Sequence, residues 1–250
     1  MSADGVPLNG GAPLAGGAPL AGAGAGAGCA SAASGFKADR YGALLFDLDG
    51  TLIDSRALIF ASFHYACDQV LGYRLPDDSL LELVGVPLAE QMQILAPQCA
   101  EEMVLAYRHH NKIGHDKYLQ YFPGTREMLA DVKSRGVPLA VVTSKRNESA
   151  IQGLDSFQLM PFFEFVIGSD DTVRHKPDPE PLLLAAERLG VAAQTCVFIG
   201  DSIYDMRAAR AAGMYAVGVG WGMAKPKDLK QAGAQVLVQQ MDKLAGVLAR

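Results

Sequence analysis

Ala43-Leu-Leu-Phe-Asp-Leu-Asp-Gly-Thr-Leu-Ile-Asp-Ser55 is the stretch around which the chain organises itself. Residues 43–46 form a short apolar run suited to a strand buried on both faces. The run stops at Asp47 and Asp49, two carboxylates on alternate positions with Gly50 directly behind. Alternate residues of a strand point the same way, so both acids can reach one small volume at its end. Two like charges ~4 Å apart repel by about 4 kcal/mol at an effective dielectric of 20, so a cation is needed nearby. An acidic turn closing a core strand is the ordinary alternative, and the choice rests on residues far along the chain.

Composition narrows the setting. The chain has 250 residues, half of them hydrophobic and a fifth charged, as expected for a globular protein of one large or two modest domains. Lys and Arg number 22 against 27 Asp and Glu, and a net charge of −5 offers nucleic acid no general attraction. Cys29, Cys67, Cys99 and Cys196 are scattered without Cys-x-x-Cys spacing, which reads as reduced thiols of a cytoplasmic protein. No apolar run reaches the ~18 residues of a membrane span.

Residues 1–37 are low in complexity, with Gly-Gly-Ala-Pro-Leu-Ala in tandem followed by alternating Ala and Gly. Such a stretch has little bulky apolar surface to offset ordering entropy, and a disordered tail is expected. It lacks Lys or Arg before Lys37, and glycine dilutes it throughout, so it does not read as a secretory signal. From 55 to 121 the pattern is helical, with an apolar face over 58–71 stopped near Gly72 and shorter runs over 78–83, 88–95 and 100–114. His64, His109, His110 and His115 fall here, and adjacent His109 and His110 diverge on a helix, so they read as packing or surface residues. From 122 onward helices alternate with short apolar strands over 137–142, 163–167, 196–199, 215–219 and 235–238.

That alternation predicts an α/β fold, a doubly wound parallel sheet with right-handed crossovers. The expected division is a tail at 1–37, a core made of 38–54 and 122–250, and a small all-helical domain at 55–121 inserted after the first strand. Ligands of such sheets bind beyond the carboxyl ends of the strands. Asp47 and Asp49, Thr143 and Ser144, and Asp201 and Asp205 all sit at or just past such ends, and Lys176 lies in a loop after another strand. Convergence of these residues is predicted. One ammonium cannot neutralise four carboxylates, and an all-oxygen donor set suits Mg²⁺. A clamp for a phosphoryl group results: the cations balance its oxygens, and Thr143 with loop N–H groups orients it. One carboxylate can form an aspartyl-phosphate, and a second acid two residues on can protonate the leaving oxygen and then activate water. Taken singly, each residue also has an ordinary role as a strand end, a loop charge or a helix cap.

In order and spacing, Asp47-Leu-Asp-Gly-Thr51, Thr143, Lys176-Pro-Asp-Pro179 and Gly200-Asp-Ser-Ile-Tyr-Asp205 resemble the haloacid dehalogenase-like hydrolase superfamily over residues 41–250. The resemblance implies a Rossmann-like core, Asp47 as nucleophile and Asp49 as general acid/base. Thr143 would bind a phosphoryl oxygen, Lys176 would stabilise phosphate and nucleophile, and Gly50, Thr51 and Ser144 complete the expected phosphate-binding set. Mg²⁺ would be held by Asp47, the Asp49 carbonyl and Asp201, with Asp205 in support. The helical insert looks like the family's mobile cap of the first type, hinged at Gly50 and near Ser55 and Phe122.

Within the family, dehalogenases lack the second aspartate, so Asp49 disfavours dehalogenation. Sugar-phosphate mutases carry a basic residue where Leu88 aligns, so hydrolase is preferred to mutase. Tyr107-Arg108-His-His-Asn111, Tyr121-Phe-Pro-Gly124 and Gly218-Val-Gly-Trp-Gly222 look most like phosphoglycolate phosphatases and their pyrophosphatase relatives. The expectation is a cytoplasmic Mg²⁺-dependent phosphatase, monomer or homodimer, acting on a small phosphorylated metabolite, 2-phosphoglycolate first. No nucleic-acid or membrane partner is expected. Inorganic pyrophosphatase, sugar-phosphate phosphatase or mutase, and a non-catalytic binding protein are the alternatives. Arg56 and Arg108 are, by charge, candidate contacts for a second anionic group.

Overall fold

A computed structural model describes residues 41–248, so the expectation for residues 1–37 lies outside the described residues. Strand β1 (Ala43–Phe46) is central, flanked in parallel by β4 (Leu139–Val142) and β6 (Cys196–Gly200). With β5 (Val166–Ile167), β7 (Tyr215–Val219) and β8 (Val236–Val238), the sheet runs β5-β4-β1-β6-β7-β8, parallel throughout. This is the predicted doubly wound α/β fold. The order reverses at β1: the chain builds outward through β4 and β5, then crosses to β6 on the other side. Such a switch point opens a crevice at the carboxyl edge.

Alternation explains why β1 must be apolar throughout. Leu44 and Phe46 join the core on one face of the sheet, beneath α5 (Thr125–Ser134), α6 (Asn147–Ser156) and α10 (Met241–Val247). Ala43 and Leu45 join the core on the other face, beneath α7 (Glu180–Arg188), α8 (Ile203–Ala211) and α9 (Pro226–Ala232). A large side chain fully buried in this way contributes ~1.5–3 kcal/mol.

Between β1 and α5 lies the helical insertion: α1 (Arg56–Ala66), α2 (Asp77–Leu81), α3 (Leu88–Leu95) and α4 (Ala100–Tyr118). It has its own core, with Ile59, Phe63, Met92 and Met103 buried together and the Phe63 and Tyr107 rings edge to face at 5.0 Å. The helix predicted over 58–71 is α1 continued by one wider π-turn, Cys67–Leu71, and Gly72 ends it in the left-handed region as expected. Two features differ from expectation. The helix expected over 100–114 runs on to Tyr118, because Gly114 packs between the Tyr118 ring and Leu58 rather than ending the helix. A two-residue antiparallel ladder also joins β2 (Ile53–Asp54) to β3 (Gln120–Tyr121), tying the entrance of the insertion to its exit. Elements this short leave no hydrophobic period to read. Among the described residues no helix is long and apolar enough to cross a membrane.

Candidate active site

The turn after β1 is built tightly. The Leu48 carbonyl accepts N–H bonds from Thr51, Leu52 and Ile53, and Gly50 supplies the positive φ of 77° that the turn needs. A Cβ on Gly50 would run into the Asp201 carboxylate, so the close approach of β1's turn to β6's turn also requires glycine. The expected convergence is present. Lys176, almost fully buried, donates to Asp47 Oδ1 at 2.6 Å, to Asp205 Oδ1 at 2.7 Å and to the Val142 carbonyl at 3.3 Å. All three ammonium donors thus have acceptors.

Asp201 receives the Met223 N–H at 2.8 Å and the Thr51 hydroxyl at 3.3 Å. Asp205 closes a capping box at the start of α8: the Ser202 hydroxyl accepts its N–H, and the Asp205 carboxylate accepts from the Ser202 backbone. Oxygens of Asp47, Asp201 and Asp205 lie within 4.8 Å of one another. Burial pushes the Asp47 carboxyl up to about 7, the charges of Asp205 and Asp49 add to this, and Lys176 opposes it. Asp201 is likewise raised, by burial first and then by Asp47 and Asp205. For Lys176 burial works against the charge, yet Asp205 and Asp47 outweigh it and hold the ammonium above its ordinary value.

Three buried carboxylates against one ammonium leave an excess of two negative charges. A divalent cation cancels that excess, and a cluster offering only oxygens fits Mg²⁺ by charge and donor type. The cavity in front of this cluster measures about 1170 Å³ and lies between the carboxyl edge of the sheet and the helical insertion. Asp47, Asp49, Thr143, Ser144 and Asp201 line it, whereas Lys176 and Asp205 do not, and the Lys176 ammonium joins Asp47 to Asp205.

Other predicted residues are held in ways the sequence did not indicate. Thr143 is buried at the cavity wall, its hydroxyl accepting the Lys145 N–H at 3.2 Å. The Ser144 hydroxyl donates to the Gly85 carbonyl of the insertion at 2.6 Å. Thr51 is buried, with its hydroxyl spent on Asp201, and the Gly50 N–H is given to the Ile53 carbonyl, so both shape the acidic turn from behind. The Asp49 carboxylate stands apart from the three-acid cluster and pairs with Lys145 at 2.5 Å. Sequence reading missed Lys145. Its signal was its place two residues beyond Thr143 at a strand's carboxyl end.

Arg108 lines the cavity from α4, while Arg56 lies over the Phe60 ring, 5.7 Å from its centroid, and does not line it. His64 pairs with Asp77 at 2.8 Å, His115 with Asp116 at 3.0 Å, and His110 meets Ser62 at 3.2 Å, matching the packing reading of these histidines. The glycine-rich exit of β7 buttresses the turn: Trp221 donates to the Thr51 carbonyl at 3.1 Å, and a Cβ on Gly222 would collide with Asp201.

The sequence profile of the haloacid dehalogenase-like hydrolases matches residues 44–219, which include Asp47, Asp49, Thr143, Lys176, Asp201 and Asp205. The chain belongs to that family. A protein of Caldanaerobacter subterraneus subsp. tengcongensis, provisionally named pyrophosphatase PpaX, is 37% identical over 206 residues, 82% of this chain and 94% of its own. Pyrophosphatase PpaX of Halalkalibacterium halodurans is 34% identical over 210 residues, 83% of this chain and 98% of its own. A crystal structure from Lactobacillus delbrueckii subsp. bulgaricus, provisionally named a phosphoglycolate phosphatase, is 27% identical with a TM-score of 0.73, covering 83% of this chain and 98% of that one. This haloacid dehalogenase-like hydrolase is thus an enzyme whose named relatives cleave phosphorus–oxygen bonds.

Proposed function

We propose that the protein is a Mg²⁺-dependent phosphohydrolase that passes the phosphoryl group through Asp47. The observation that carries the reading is the Asp47 carboxylate, buried at the switch point and gripped by Lys176. Bound at the cluster of Asp47, Asp201 and Asp205, Mg²⁺ would draw charge from the phosphoryl oxygens and relieve the repulsion among the acids. Lys176 fixes the plane of the Asp47 carboxylate, so that it meets phosphorus in line with the leaving oxygen. Attack forms the Asp47–phosphorus bond as the bond to the leaving group breaks, and Asp49 gives that oxygen its proton. Asp49 then takes a proton from water, the water oxygen bonds to phosphorus, and Asp47 is released with inorganic phosphate. Thr143 binds a phosphoryl oxygen at the β4 edge. The insertion over residues 55–121 serves as the cap that excludes bulk water during both steps.

Arg108 and Lys112, one helical turn apart on α4, both line the cavity. Their charge suits a substrate whose far end is also anionic. Both 2-phosphoglycolate and pyrophosphate meet that description, and the names of the similar proteins favour pyrophosphate. Phosphate release from a panel holding both compounds, with and without Mg²⁺, tests the reading. Mg²⁺-dependent turnover of at least one is expected, and absence of turnover on the whole panel rejects the reading.

A further inference from the structure

Lys145 stands outside the acidic cluster and has no part in the steps above. Its main chain is pinned twice at the end of β4: its N–H donates to the Thr143 hydroxyl at 3.2 Å, and its carbonyl accepts the Ser169 N–H at 2.8 Å. The side chain reaches across the mouth of β1 to Asp49, Nζ to Oδ1 at 2.5 Å, and both side chains line the cavity. They are 18% and 16% exposed, so the pair is largely withdrawn from water yet open to whatever fills the cavity. An ammonium has three donors. Among the described residues Asp49 takes one, and no acceptor is found for the other two. Lys176, by contrast, has all three satisfied.

We infer that Lys145 is the residue that recognises a leaving group that is itself a phosphoryl group, making diphosphate compounds the preferred substrate class. The inference rests on the phosphohydrolase reading above. If Asp49 serves the leaving oxygen, a cation in contact with Asp49 lies beside whatever that oxygen is attached to. In an alkyl or aryl ester the attached atom is carbon and offers no acceptor. In pyrophosphate it is a second phosphorus whose anionic oxygens sit two bonds from the bridging oxygen, matched to the two spare donors of Lys145. The developing charge of the departing phosphate would then be met by a fixed cation. Arg108 and Lys112 line the same cavity but are exposed on the insertion, so they report only that the substrate is anionic.

The test compares pyrophosphate with para-nitrophenyl phosphate in the wild type, K145M, K145Q and K145R, each checked for an unaltered circular dichroism spectrum. In K145M and K145Q the loss of kcat/KM on pyrophosphate is expected to exceed the loss on the aryl ester by at least about tenfold, with K145R recovering most of the selectivity. Equal losses on both substrates overturn the inference and leave Lys145 as a structural partner of Asp49. A wild type that cleaves the aryl ester but not pyrophosphate overturns it as well, while the phosphohydrolase reading survives. A wild type inactive on both with Mg²⁺ present overturns that reading, and this inference with it.

Discussion

The two walls of the cavity are built on different principles. On the sheet side the charged residues are buried and tied: Lys176 is bonded to Asp47, Asp205 and a carbonyl, and Asp201 is held by a backbone N–H and a hydroxyl. On the insertion side Arg108 and Lys112 are exposed and make no ion pair among the described residues. Preorganised charge in a dry site acts strongly on a transition state, because nothing has to reorient as the reaction proceeds. Exposed, mobile charge acts mainly on binding and capture, and salt screens it. On the proposed function the sheet wall would break the bond, and the exposed charges of the insertion would serve capture of an anionic substrate. Contacts between the walls include Ser144 to the Gly85 carbonyl at 2.6 Å, the Tyr204 hydroxyl to the Glu82 carbonyl at 3.2 Å, and His175 to Glu90 at 3.9 Å.

Substitutions ordered by size of effect put that contrast at risk. Asp47→Asn on the sheet wall removes the proposed nucleophile, and kcat is expected to fall by about 10⁴-fold or more on every substrate. Retained turnover would mean that the buried wall is scaffolding. Asp201→Asn leaves Asp47 in place but cuts the excess negative charge. A fall of roughly 10²–10³-fold in kcat is expected, together with loss of the rise in melting temperature expected of the wild type on adding Mg²⁺. A thermal shift by Mg²⁺ that persists in this variant would place the cation elsewhere.

Gly50→Ala tests the packing that brings the turns of β1 and β6 together. It forces a Cβ onto the Asp201 carboxylate at a positive φ. About 1–3 kcal/mol of stability and most of the activity should be lost, as urea unfolding and a single-substrate assay would read. Arg108→Ala on the insertion wall should be the mildest, raising KM by about 3–30-fold with kcat nearly kept and weakening the salt dependence of kcat/KM. A large fall in kcat from Arg108→Ala would erase the distinction between the walls.

The sequence by itself determined the fold and the acidic wall. Ala43-Leu-Leu-Phe46 is apolar at every position, which suits a strand with cores on both faces, and strands alternating with helices point to a parallel sheet covered by helices. In such a sheet the strand ends share one edge, so Asp47, Thr143 and Asp201 were legible as neighbours before any coordinate. What only the tertiary structure decided is which atom each polar group serves. Thr51 and Gly50 turned out to support Asp201 and the turn, Ser144 to hold the Gly85 carbonyl, Arg56 to lie on Phe60, and Lys145 to face Asp49. The reason is physical. Hydrophobic burial acts over whole segments and leaves a period in the sequence, whereas a hydrogen bond or ion pair depends on a few tenths of an ångström between residues as much as 170 positions apart. The ladder of β2 and β3 was likewise invisible, because two residues make no pattern until the chain on either side has brought them together.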